Sequence, residues 1–90
     1  MSFTAGGKNR GDVEVTYYPL ASKSGLQIEL ETSVEKLYGD KIRSEIESAA
    51  KEAGVCDGKL VVVDDGALPY VLRARVEAAI RLAKENSDER

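Results

Sequence analysis

"LVVVDDGALPYVLRARVEAAI" (residues 60–80) is the stretch that decides the fold. It opens with four apolar residues in a row, three of them β-branched. An apolar residue at both alternations predicts a strand covered on both faces, hence one central in its sheet. Asp64-Asp65-Gly66 stops the strand. Pro69 can stand in the first turn of a helix, where its missing N–H is harmless. Behind it Leu68, Leu72, Val76, Ala79 and Ala83 form one helical face, and Val71, Ala74, Ala78 and Leu82 widen it. A central strand feeding directly into an amphipathic helix implies a sheet with helices packed on it.

Upstream, Val13, Val15 and Tyr17 alternate with Glu14, Thr16 and Tyr18, and Leu26, Ile28 and Leu30 alternate with Gln27, Glu29 and Glu31. Period two with β-branched and aromatic residues marks two strands, each with one wet face. Pro19 ends the first, and Ser22-Lys23-Ser24-Gly25 reads as a turn, so an antiparallel hairpin is expected. Thr32-Ser33-Val34-Glu35 has capping-box spacing. Val34, Leu37, Tyr38, Ile42, Ile46, Ala49, Ala50 and Ala53 follow at helical spacing, with Gly39-Asp40 as an interruption. Gly54-Val55 fits a left-handed helix cap with its apolar contact.

The expected class is α+β: a two-layer α/β sandwich of order ββαβα, with a three-stranded mixed sheet and two helices on one face. Residues 1–11 lack periodicity and read as a flexible N-terminal arm, residues 12–84 as a single domain, and residues 85–90 as a frayed tail. If the second and third strands run parallel, their helical connection should be right-handed.

Ninety residues leave little room for a substrate-enclosing pocket. There is no His, so Ser-His-Asp, Cys-His and most zinc sites are excluded, and no metal site is expected. The single Cys56 cannot form an internal disulfide and reads as a small apolar residue in a reducing compartment. A net charge of −3 without a basic face, and no Trp, argue against nucleic acid. No apolar run approaches membrane-spanning length, so no membrane partner and a cytoplasmic location are expected. Asp64-Asp65-Gly66 lacks the further ligands of a cation loop and reads as an acidic strand-to-helix turn. Arg73 and Arg75 read as ion-pairing with that turn or with Glu77, or as a contact for a partner or phosphate.

Three stretches together carry a family resemblance: "AGGKNRGDVEV", "ETSVEKLYGDKIRSEI" and "VVVDDGALPYVLRARVEAAI". In order and spacing they resemble the acyl carrier protein, or gamma subunit, of citrate lyase, and more distantly the malonate decarboxylase carrier subunit. The resemblance implies a non-catalytic subunit of an enzyme complex. It would carry phosphoribosyl-dephospho-coenzyme A through a phosphodiester to a serine, present its thioester to an alpha (transferase) and a beta (lyase) subunit, and be loaded by a holo-carrier synthase. Tethering of this kind raises the effective concentration of the thioester at each partner.

The serine of that family immediately precedes Gly-Asp, and here Arg10 precedes Gly11 and Asp12. Arginine cannot form the phosphodiester. Four readings stay open: a variant that remains unmodified; loading at Ser2, Thr4 or Thr16; an assembly or regulatory module that kept the carrier scaffold and docking surface without the arm; and non-covalent binding of a phosphate-bearing cofactor by Arg10. Residues Asp64, Asp65, Gly66 and Ala67 with Arg73 and Arg75 are expected to form a partner-docking surface.

Overall fold

The computed structural model describes residues 2–19, 25–32, 36–55 and 57–88. The elements are β1 (Phe3–Gly6), β2 (Val13–Tyr18), β3 (Leu26–Thr32), α1 (Lys36–Glu52), β4 (Gly58–Asp64) and α2 (Pro69–Asp88). The strands form one mixed sheet in the order β1-β2-β4-β3. β1 and β4 both run antiparallel to β2, and β3 runs parallel to β4. The class is α+β, with the expected helices.

The sheet departs from expectation in strand number and in strand order. The sheet has four strands, not three, because Phe3–Gly6 pairs with β2 along Phe3↔Tyr17, Thr4↔Thr16 and Ala5↔Val15. Phe3 and Ala5 turn toward the core while Thr4 faces solvent, an alternation too short to stand out beside the glycines that follow. Nor do β2 and β3 form a hairpin: β4 lies between them. The strand with the most apolar sequence takes the central place, where it has a neighbour on each edge, and this outweighs the tendency of consecutive strands to pair.

The core lies on one face of the sheet. Cross-strand rows run Phe3, Tyr17, Leu60, Ile28, then Ala5, Val15, Val62, Leu30. Against them α1 sets Ile46, Ala49 and Ala50, and α2 sets Leu72, Val76, Ala79, Ile80 and Ala83. Among the described residues nothing covers the other face of β4. Val61 and Val63 are half-buried, so the expectation of a strand covered on both faces holds for one face only.

Pro69 opens α2, and the Leu68 carbonyl accepts from the N–H groups of Val71 at 2.9 Å and Leu72 at 3.0 Å. Leu68 therefore stands outside the helix and is 56% exposed rather than part of the buried face. Gly54, at φ +82°, caps α1. Its N–H bonds the Lys51 carbonyl at 3.0 Å and that of Val55 the Ala50 carbonyl at 2.9 Å, with Val55 buried, as a Schellman cap requires. Gly39-Asp40 does not interrupt α1. α2 continues through Asp88. Ser33, Val34 and Glu35 of the capping-box stretch, Ser22, Lys23 and Ser24 of the turn, and Cys56 lie outside the described residues.

Candidate functional site: a braced corner at the end of the central strands

Two stretches far apart in sequence meet at one end of the sheet. The carbonyl of Asn9 accepts from the N–H of Asp12 at 3.0 Å, closing a four-residue turn. Gly11 is its third residue, with φ +78°, the backbone a type II turn demands there and one that L-residues adopt at a cost. Arg10 is the second residue, the outer corner, and is exposed.

This turn is fastened to the acidic turn after β4. The Gly11 N–H donates to the Asp65 carbonyl at 2.8 Å, and the Asp65 N–H donates to the Asp12 carbonyl at 3.1 Å. Two residues opposite one, the first a glycine with positive φ, is the pattern of a G1 β-bulge. It continues the β2–β4 ladder one step beyond Val13↔Asp64 and turns the chain outward at Arg10.

Side chains brace the same corner. One oxygen of Asp12, Oδ1, accepts from the Val13 N–H at 2.7 Å and from Arg75 Nε at 3.2 Å. The Val13 bond is the main cause holding the Asp12 carboxyl below its usual range; Arg75 adds to it, and desolvation opposes it. To reach Asp12 the Arg75 stem passes over Gly6. A Cβ at Gly6 would stand 3.0 Å from Arg75 Cδ and 2.0 Å from the Val13 carbonyl oxygen, so only glycine fits.

Asp64 ends the central strand from inside. It is buried, and Thr32 Oγ1 donates to its Oδ2 at 2.9 Å across the parallel β3–β4 pair. Its Oδ1 accepts from the Ala67 N–H at 3.1 Å, which shapes residues 64–67 into a fixed turn. The acidic turn also forms one wall of an open cleft of about 290 Å³ lined chiefly by Tyr38, Ile42, Ala67, Pro69 and Leu72.

Of the residues singled out in the sequence, Arg10, Gly11, Asp12, Asp64, Asp65, Gly66, Ala67 and Arg75 thus come together. Arg73 does not join them. It pairs with Glu45 at 3.0 Å and with Glu52, clamping α2 to α1, and Glu45 is the main cause raising its pKa. Neither arginine pairs with Glu77 in the salt bridges formed. The Gly6–Arg75 close approach was not anticipated. The only sequence signal for it is the glycine pair Gly6-Gly7 just before a strand.

A prosthetic group bound by phosphodiester needs a hydroxyl, and residues 6–12 contain none. The corner suits an attachment point in exposure and rigidity but not in chemistry. Thr4 and Thr16 lie elsewhere, on the β1–β2 face away from the helices, with their hydroxyls 3.0 Å apart and bonded to each other. Among the described residues no group of His, Cys, Asp or Glu side chains could hold a metal ion, and no helix is long and apolar enough to cross a membrane.

The fold and its corner define the class: a small rigid α+β body with a braced, exposed turn. The comparisons with known proteins give this class its family. The model of the acyl carrier protein family described as "Malonate decarboxylase delta subunit (MdcD)" matches residues 2–83. The citrate lyase acyl carrier protein of Latilactobacillus sakei is 38% identical over 87 residues, covering 94% of this chain and 84% of that protein. That of Fusobacterium nucleatum is 37% identical over 84 residues, covering 93% and 88%. That of Halothermothrix orenii is 31% identical over 86 residues, covering 96% and 89%. The chain belongs to this acyl carrier protein family, whose members are non-catalytic subunits of enzyme complexes.

Proposed function

We propose that the chain takes the carrier's place in a citrate lyase-like complex, with the corner at Arg10 presented to an alpha (transferase) and a beta (lyase) subunit. The observation that carries this reading is the bulge that fastens Gly11 and Asp12 to Asp65, reinforced by Arg75. It ties the position where the family's serine is expected to the acidic turn proposed as docking surface. An arm is useful only if its root is fixed relative to the surfaces that dock, and this linkage fixes it.

Within that surface the residues have different tasks. Asp65 and Gly66 are exposed at the outer side of the turn. Asp64 and Ala67 shape the turn from inside. Arg75 holds the corner, and Arg73 steadies the helix behind it.

In the family the corner serine bears phosphoribosyl-dephospho-coenzyme A, whose thiol carries the acyl group. Arg10 offers a guanidinium instead, so this chain does not hold that group there. The same observation favours a second reading, an assembly or regulatory module that kept the scaffold and docking surface without the arm. Both readings predict docking, and loading separates them. Co-expression with the alpha and beta subunits of its own organism should yield a complex containing the chain. Charge reversal at Asp65→Lys should weaken that association. A chain absent from the complex, or an undiminished association of the variant, would contradict the docking assignment.

A further inference from the structure

Among the described residues no element packs over the sheet's second face. Every fully buried strand side chain points toward the helices, while β4 leaves Val61 and Val63 half-buried on the other side. The register places Val63 between Glu14 of β2 and Glu31 of β3, and Val61 between Thr16 and Glu29. With strands about 4.8 Å apart, Glu14 and Glu31 stand about 10 Å from each other across Val63. Glu29 is paired with Lys59 at 2.7 Å, whereas Glu14 and Glu31 form no ion pair among the described residues. Lys8, at the base of the braced corner, shares a shallow depression with Glu31 and Val63, so this face runs up to the corner.

A sheet with one wet face normally carries polar residues at the wet alternation. On β2 and β3 it does, but β4 keeps Val61 and Val63 there beyond Lys59. Beyond Lys59, which Glu29 neutralises, the half-buried alternation of β4 is apolar, while the described elements cover its other face only.

We propose that a protein surface with an apolar centre and two basic side chains about 10 Å apart covers this face, its apolar centre meeting Val61 and Val63 and its cations meeting Glu14 and Glu31. The inference rests on the reading of the chain as a complex subunit, so the partner is its alpha or its beta subunit. Charge selects it: Glu29 occupies Lys59, and Glu14 and Glu31 outnumber Lys8 at the edge, so the face keeps an acidic excess that disfavours a second copy, nucleic acid or an anionic membrane.

Binding of the full chain to the purified alpha and beta subunits tests this, with two open-face variants, Glu14→Lys/Glu31→Lys and Val61→Thr/Val63→Thr, and a helix-face control, Glu47→Lys. Threonine keeps the branched shape and strand propensity of valine, so the second variant folds even if the first does not. Each open-face variant should bind about tenfold more weakly or worse, the control should bind as wild type does, and wild-type affinity should fall as salt rises. Wild-type affinity retained in a folded Val61→Thr/Val63→Thr chain would overturn the proposal, as would a self-associated chain that this variant disperses. A wild-type chain that binds neither subunit would instead refute the subunit reading beneath it.

Discussion

Arg75 and Asp12, 63 positions apart in the chain, meet at the end of the sheet, with Nε donating to Oδ1 at 3.2 Å. The pair joins the face of α2 to the first residues before β2 and makes the corner at Arg10 part of the rigid body. Its strength depends on the charge of Asp12, whose carboxyl is held below the ordinary value of 3.8.

The sign of the pH dependence follows. A carboxyl whose folded-state pKa is depressed contributes stability that is fully present above its unfolded pKa and is lost as pH falls through the folded one. Asp12→Asn should therefore lower stability at pH 7, and the gap between variant and wild type should narrow as pH falls from about 4 through the lowered folded-state pKa. Denaturant unfolding at several pH values measures it; a gap that persists at low pH would refute the charge argument.

The two glycines of the corner should respond differently to alanine. Gly11 has φ +78° and open space around its Cβ position, so Gly11→Ala carries only the backbone penalty, about 1–2 kcal/mol. Gly6→Ala adds a contact with the Val13 carbonyl oxygen and should cost about 3 kcal/mol or detach β1 from β2. Thermal melts of the two variants give the order, and equal losses would contradict the close approach.

Arg73 bridges Glu45 and Glu52 on α1 from a partly exposed position. Arg73→Met should lower stability at low salt, and the loss should shrink at high salt as screening weakens the wild-type pairs. If the variant and wild type differ equally at both ionic strengths, packing rather than charge explains the residue.

Ile46 and Ile80 are fully buried on facing helices. Ile46→Ala should cost about 2–5 kcal/mol, through lost burial plus the cavity left behind, and Ile80→Ala a similar amount. Each is measurable as a lowered denaturation midpoint with an unchanged slope.

Most of the fold was legible because periodicity reports burial directly. β2, β3, β4 and both helices follow from alternation or helical spacing, and the Gly54-Val55 cap from its residue types. Strand order was not legible, since nothing in Val13-to-Tyr18 or Leu26-to-Thr32 says that β4 will lie between them. Tyr38 and Leu68 fit helical stripes yet sit at helix ends, where the packing partner has run out. The residue types of the corner were visible, but its bracing was not. Pairing Gly11 with Asp65 and Arg75 with Asp12 is long-range geometry that only the assembled sheet creates.

The most direct test of the account is the intact mass, with peptide mapping of residues 1–20, of wild type and Arg10→Ser. Both are co-expressed with an active holo-carrier synthase and its precursor supply, with a carrier that this synthase loads as control. The corner position tolerates serine, being exposed and at negative φ. Arg10→Ser should gain a nucleotide-thiol group on the peptide containing residue 10, while the wild type stays bare. A wild type loaded at Ser2, Thr4 or Thr16, or an Arg10→Ser chain left bare beside a loaded control, would contradict the account.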